Sequence, residues 1–292
     1  MTHEYAVVNG IRMHYVTHGS GPLMIFAHGF PEFWYEWHRQ LDDFGRDHQA
    51  VAPDLRGYNL TEKPPAVEQY RVKHLIEDLR ALASHLGSEK FTLVAHDWGG
   101  AVAWAFALAH PHLLDKLVII NAPHPGIFAR LLYSNPDQQQ ASQYMRMFCT
   151  AGAESNLSRD NYQPLVDIVL THGLKRGYFD ENDKRAYLEA WSIPGALTGG
   201  LNYYRASRLL PPEPGTPPPA TPLSLDVASL TVHVPTLVIW GERDTALIPA
   251  NLDGLQEFVP NLAVRRVPDA NHWVVHQRPE LVNGYIREFL ST

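Results

Sequence analysis

Residues 91–101 read Phe91-Thr92-Leu93-Val94-Ala95-His96-Asp97-Trp98-Gly99-Gly100-Ala101. The first five have the length and apolar character of a buried strand. The glycine pair makes a tight turn, and Val102, Trp104, Phe106 and Leu108 then carry a helix that Pro111 must end. A side chain at the tip of a strand–turn–helix unit is held out from the sheet, a position often used for a nucleophile, usually Ser. Here the tip is Asp97, and the helix N-terminus behind it favours an anion. Taken alone, Asp97 reads equally well as a plain N-cap.

The chain on either side supplies a sheet for this unit. Tyr5–Val8 and Ile11–Val16 alternate around Asn9-Gly10, a two-residue hairpin signal. Leu23–Ala27 is a short apolar run, followed by His28-Gly-Phe-Pro-Glu32. That loop is placed to aim the Phe30 N–H, beside the Trp98 N–H, at a developing oxyanion; an ordinary strand-to-helix turn is the simpler alternative. Ala50–Pro53 is the next strand. Val72, Leu75, Ile76, Leu79, Leu82 and Leu86 mark one helical face, stopped by Gly87. Strand Leu117–Ile120 follows Asp97. Strands alternating with amphipathic helices predict an α/β fold, a mostly parallel central sheet with helices on both faces.

After Asn121-Ala-Pro-His-Pro125 the pattern changes. Residues 126–225 lack a strand, contain several helical patterns, and end in the proline-dense stretch Pro211–Pro222. They read as a helical cap, or lid, inserted into a core of residues 1–125 and 226–292. In the resumed core, Pro235–Trp240 and Ala263–Val267 read as strands, Asn251–Phe258 as a helix, and Pro279–Leu290 as the closing helix.

Composition narrows the class. The 292 residues are 45% hydrophobic, enough for a large core. The net charge of −7 comes with scattered Lys and Arg, which argues against nucleic acid. No apolar run approaches the roughly 20 residues that span a bilayer, and Met-Thr-His-Glu-Tyr is not a signal-peptide start. The single Cys149 rules out an internal disulfide and fits a reducing compartment. The expectation is a cytoplasmic protein, monomer or homodimer, with no membrane partner.

Asp244 and His272 each follow a late strand. With Asp97 they give the order nucleophile, acid, histidine. An aspartate is already ionised and needs no base to attack. The histidine is needed later, to take a proton from the water that cleaves the resulting ester, while Asp244 orients the imidazole. No metal-ligand spacing is evident, and the chemistry calls for no cofactor. Phe33, Trp34, Trp37 and Trp273 are candidates for the wall of an apolar pocket, with core packing the open alternative.

His28-Gly-Phe-Pro-Glu32, Asp54-Leu-Arg-Gly-Tyr58, His96-Asp-Trp-Gly-Gly100, Gly241-Glu-Arg-Asp244 and the late His272 together resemble the epoxide hydrolases of the α/β-hydrolase fold, soluble bacterial members especially. The resemblance runs from the Asn9 hairpin to the last helix. It implies a small-molecule epoxide as substrate, a vicinal diol as product, and two cap tyrosines that hydrogen-bond the epoxide oxygen. By their flanking residues these are Tyr144 and Tyr204, with Tyr203 a wall residue; the adjacent pair leaves a one-residue choice. Haloalkane dehalogenases share the Asp, His and acid, but commonly carry Asn where this chain has Phe30. A ligand-binding protein on the same fold is the alternative without chemistry.

Overall fold

The computed structural model describes residues 1–217 and 223–292. Eight strands form one sheet: β1 (Thr2–Val8), β2 (Ile11–His18), β3 (Leu23–Ala27), β4 (Gln49–Pro53), β5 (Phe91–His96), β6 (Leu114–Ile120), β7 (Thr236–Gly241) and β8 (Leu262–Val267). Their order across the sheet is β1-β2-β4-β3-β5-β6-β7-β8. Among the described residues only the β1–β2 and β2–β4 pairings are antiparallel. The β1–β2 hairpin closes on Asn9 and Gly10, both with positive φ, as a two-residue turn matched to strand twist requires.

The central strands β3, β5 and β7 are buried along their whole length. This is why they read as continuous apolar runs rather than alternating ones: parallel strands are covered on both faces. One face packs on α1 (His38–Phe44), α11 (Val274–Gln277) and α12 (Pro279–Leu290), through Trp37, Leu41, Phe44, Val274, Val282 and Ile286. The other packs on α2 (Val72–His85) and α3 (Asp97–Ala109), through Leu75, Leu79, Leu82, Trp104 and Phe106. Gly87 ends the α2 turn in the left-handed conformation, as expected. Val72, counted on the buried face of α2, is instead exposed, because it starts the helix at the mouth of a cavity.

Between β6 and β7 the described residues hold α4 (Pro125–Ser134), α5 (Pro136–Ala141), α6 (Gln143–Phe148), α7 (Ala153–Val169), α8 (Thr171–Arg176), α9 (Glu181–Ser192) and α10 (Ala196–Ala206). The helical path of α7 breaks at Arg159–Tyr162. These helices dock onto the loops that leave the C-terminal ends of the strands. The Trp191 indole on α9 donates to the Pro31 carbonyl, and the Tyr203 hydroxyl on α10 donates to the Arg56 carbonyl. Arg146 and Gln143 on α6 donate to the carbonyls of Pro211 and Pro212, fastening the start of the return segment. Of the proline-dense stretch, 218–222 lie outside the described residues.

The helix expected over Asn251–Phe258 is not formed. Two short 3₁₀ turns, Pro249–Leu252 and Leu255–Glu257, stand there instead. Gly254 between them has a φ of 75°, which breaks any continuous helix.

Candidate active site

The centre of the site is the junction of β5 and α3. His96 ends the strand and Asp97 begins the helix with a φ of 49°, a conformation an L-residue holds only when its surroundings fix it. Two glycines let the chain close around it. A Cβ on Gly99 would stand 2.2 Å from the Ala27 carbonyl oxygen, and one on Gly29 would stand 2.4 Å from the Asp97 Cβ. Glycine is therefore required for β3, its following loop and the start of α3 to approach this closely.

His96 and not Asp97 occupies the N-cap position, so the plain capping role is not the one this aspartate plays. Its Oδ1 accepts the Phe30 N–H at 2.8 Å. Its Oδ2 lies 3.6 Å from His272 Nε2, and His272 Nδ1 is 2.7 Å from Asp244 Oδ2. The three residues predicted from chain order thus meet in space. The Trp98 N–H belongs to the first turn of α3, which the helix leaves without an internal partner.

Asp244 is held by more than His272. Its Oδ1 accepts the N–H groups of Ala246 and Leu247, and its Oδ2 accepts from Asn121 Nδ2. Burial alone would raise this carboxyl, but His272 and these donors outweigh burial and hold it below the usual carboxylate range. For His272 the balance is similar. Burial pulls the imidazole down, while Asp244 and then Asp97 lift it to about 9.

In front of Asp97 lies a cavity of about 630 Å³, the size of a small-molecule site. Tyr144 from α6, Tyr203 and Tyr204 from α10, and Trp98 line it with Asp97. Among the described residues Asp97 is the only carboxylate on the wall. The Tyr144 and Tyr204 rings are 6.1 Å apart and the Trp98 ring is 5.0 Å from Tyr204. Burial, with the Asp97 charge adding to it, pushes both phenols well above their ordinary range, so they stay protonated.

The aromatic candidates divide. Tyr203 reaches the cavity wall while its hydroxyl is engaged by Arg56. Phe33, Trp34 and Trp273 do not line this cavity, which corrects their expected place on its wall. Phe33 is buried against Tyr35 and Tyr187. The Trp34 ring packs on His3 and the Trp34 backbone N–H donates to Asp54, while Trp273 packs edge-on against His272 and His96. Trp37 is core. Aromatic composition near a loop did not say which side of that loop each ring faces. Cys149 is half-buried, and burial raises its thiol.

Residues 22–279 match the family model described as alpha/beta hydrolase fold. Epoxide hydrolase 2 of Caenorhabditis elegans is 34% identical over 99% of this chain and 80% of its own. Epoxide hydrolase 3 of Xenopus tropicalis is 37% identical over 97% of this chain and 76% of its own. The chain belongs to the epoxide hydrolases of the α/β-hydrolase fold. A crystal structure of the Bacillus megaterium epoxide hydrolase with an inhibitor superposes with a TM-score of 0.90, at 39% identity over 99% of this chain and 100% of that one. This epoxide hydrolase is thus a hydrolytic enzyme. Among its described residues no helix is long and apolar enough to cross a membrane.

Sequence reasoning did not single out four buried groups behind the triad. Glu32 Oε1 is 3.0 Å from His276 Nε2, and the Tyr187 hydroxyl on α9 donates to Glu32 Oε2. Glu36 Oε1 is 2.6 Å from His96 Nδ1. Glu36 stands in the run Trp34-Tyr-Glu-Trp37, and an acid among large aromatics is the signal that could have drawn notice. Asn121 was legible as the residue leaving β6, but its bond to Asp244 spans 123 positions.

Proposed function

We propose that the enzyme hydrolyses a small-molecule epoxide to a vicinal diol in two steps, through an ester on Asp97. The observation that carries this reading is one cavity with a lone carboxylate, a histidine behind it, and two protonated phenols on the opposing helices. Asp97 attacks an epoxide carbon, the C–O bond opens, and Tyr144 and Tyr204 donate to the departing oxygen. A phenol suits this task because an alkoxide is the far stronger base, so proton donation runs downhill.

Ester formation removes the Asp97 charge, one of the groups that keeps His272 protonated. The imidazole then falls toward its free-base form when it is needed as a base. It takes a proton from water, the water oxygen adds to the Asp97 ester carbon, and the Phe30 and Trp98 N–H groups receive the oxyanion. Collapse releases the diol and restores the carboxylate. Epoxide and water are the only reactants. Residues 126–225 act as the cap that brings the tyrosines over a core formed by 1–125 and 226–292. Halide release is disfavoured as the second reading, since Phe30 has no side-chain donor and the tyrosine pair would be idle.

His272→Gln tests the route. It leaves Asp97 able to attack but removes the base, so the ester should accumulate. Intact mass after styrene oxide should rise by the whole epoxide, on the peptide holding Asp97. A gain of a bare alkyl group from a 1-haloalkane, with none from epoxides, would make it a dehalogenase.

A further inference from the structure

Glu36 stands directly behind the nucleophile and is 1% exposed. Its Oε2 accepts the Gly29 N–H at 3.3 Å, next to the Phe30 N–H that holds Asp97. Its Oε1 lies 2.6 Å from His96 Nδ1 in a close but poorly aligned contact, and neither atom has a hydrogen-bond partner among the described residues. His96 is itself fully buried, and its Nε2 is 3.0 Å from the backbone carbonyl oxygen of His272.

The tautomers follow. A carbonyl oxygen has no proton to give, so His96 Nε2 carries one and donates it. In a neutral imidazole that leaves Nδ1 as an acceptor, and a donor must face it. Burial drives His96 down to about 3 and drives Glu36 well above the carboxylate range, with the charges of Glu32 and Asp97 adding to the latter. The pair therefore holds one proton, on the acid. Two hydrogen bonds and one close contact then run in one direction: Gly29 N–H to Glu36, the Glu36 O–H against His96 Nδ1, and His96 Nε2–H to His272 O.

We propose that Glu36 is a positioning residue for ester hydrolysis: as a carboxylic acid it donates to His96, and His96 carries that constraint to the backbone of the base, His272. The same side chain fixes Gly29, so one carboxyl sets the distance between the oxyanion loop and the base loop. Ester formation needs Asp97 and the tyrosines. Ester cleavage needs both loops in register, so it bears the cost when Glu36 is lost. The role rests on the two-step reaction proposed above.

The test is single-turnover kinetics with styrene oxide, measuring ester formation and ester hydrolysis separately. Glu36→Leu should slow hydrolysis roughly 10- to 100-fold. Formation should change by less than about threefold, under 1 kcal/mol in barrier. Glu36→Gln presents an amide that donates to His96 Nδ1 and accepts from Gly29, so it should recover hydrolysis to within about threefold of wild type, with an unshifted pH profile. Hydrolysis unaffected by Glu36→Leu overturns the role, and so does a Glu36→Gln enzyme as slow as Glu36→Leu, which would mean that a carboxylate is required. Should Glu36→Leu fail to fold, Glu36→Gln decides alone: a retained rate and pH profile support the acid, a lost rate overturns it. A wild-type enzyme that makes diol without passing through the ester overturns the two-step reading as well, and is seen in the same traces.

Discussion

The two sides of Asp97 are built from opposite materials. In front, the cavity is largely apolar, with Arg71, Lys73 and Arg208 also on its wall, and it sets phenols held protonated by burial against Asp97. Behind, Asp244, His272, His96, Glu36, Glu32 and His276 crowd together, almost all of them buried. The front is shared between the helices inserted between β6 and β7 and the core helices α2 and α3, while the back comes from loops at the sheet's C-terminal ends. Such a division lets an uncharged substrate enter without displacing ion pairs, while the charges that time the reaction stay fixed and dry. Unpaired charge is costly in either place, and at the back nearly every charge has a partner.

The sharpest way to break this contrast is to remove the only charge the two sides share. Asp97→Asn keeps a residue that tolerates positive φ, so folding is preserved while nucleophilicity is lost. Diol formation should fall by at least about 10⁴-fold. Turnover within about tenfold of wild type would move the nucleophile elsewhere.

Disabling the front alone should cost less. Tyr144→Phe or Tyr204→Phe removes one donor and leaves the other, so ester formation should drop roughly 10- to 100-fold for each and by about 10³-fold or more for the pair. Ester hydrolysis, which belongs to the back, should keep its rate. Equal losses in both steps would show that the tyrosines merely hold the cap in place.

Disabling the back should appear in stability as well as rate. His272 sits at about 9 in the folded enzyme against 6.5 for the free imidazole. Its pairing therefore stabilises the fold fully below pH 6.5, and that contribution is lost as pH rises through about 9. The shift corresponds to at most about 3 kcal/mol, shared mainly between Asp244 and Asp97. In Asp244→Asn, chemical denaturation should show a deficit below pH 6.5 that shrinks between pH 6.5 and 9. A deficit independent of pH would mean that Asp244 stabilises through Asn121 and the Ala246 and Leu247 amides alone.

The front–back division also separates what was legible in the sequence from what was not. The triad could be read because each member follows a strand, and strand order confines it to one end of the sheet. That Tyr144 and Tyr204 line the cavity was readable only by likeness to a family, because nothing in a helix's own spacing says which cavity it faces. Phe33, Trp34 and Trp273 were misplaced for the same reason: an aromatic beside a glycine loop is equally apolar on either side of it. The Asn251–Phe258 helix failed on one glycine, Gly254, whose positive φ is open to glycine at no steric cost and is not announced by the residues around it. Glu36 and His96 are 60 positions apart, and no local pattern reports that they meet at 2.6 Å.

The smallest effect tests the seam between the two sides. Tyr187 on α9 is fully buried and donates to Glu32 Oε2, while His276 takes Oε1, so one carboxylate ties the cap to the loop that carries Phe30. Burial raises Glu32, but His276 and Tyr187 outweigh it and keep the group ionised. Tyr187→Phe preserves the ring packing on Phe33 and Trp191 and removes only the hydroxyl, leaving a buried carboxylate oxygen without its donor. Stability should fall by about 2 kcal/mol, the size of a hydrogen bond to a charged group. Ester formation and hydrolysis should each stay within about threefold of wild type. A loss of less than about 0.5 kcal/mol would mean that the seam is held by apolar packing of α9, and a large loss in hydrolysis alone would make Glu32 part of the machinery behind Asp97.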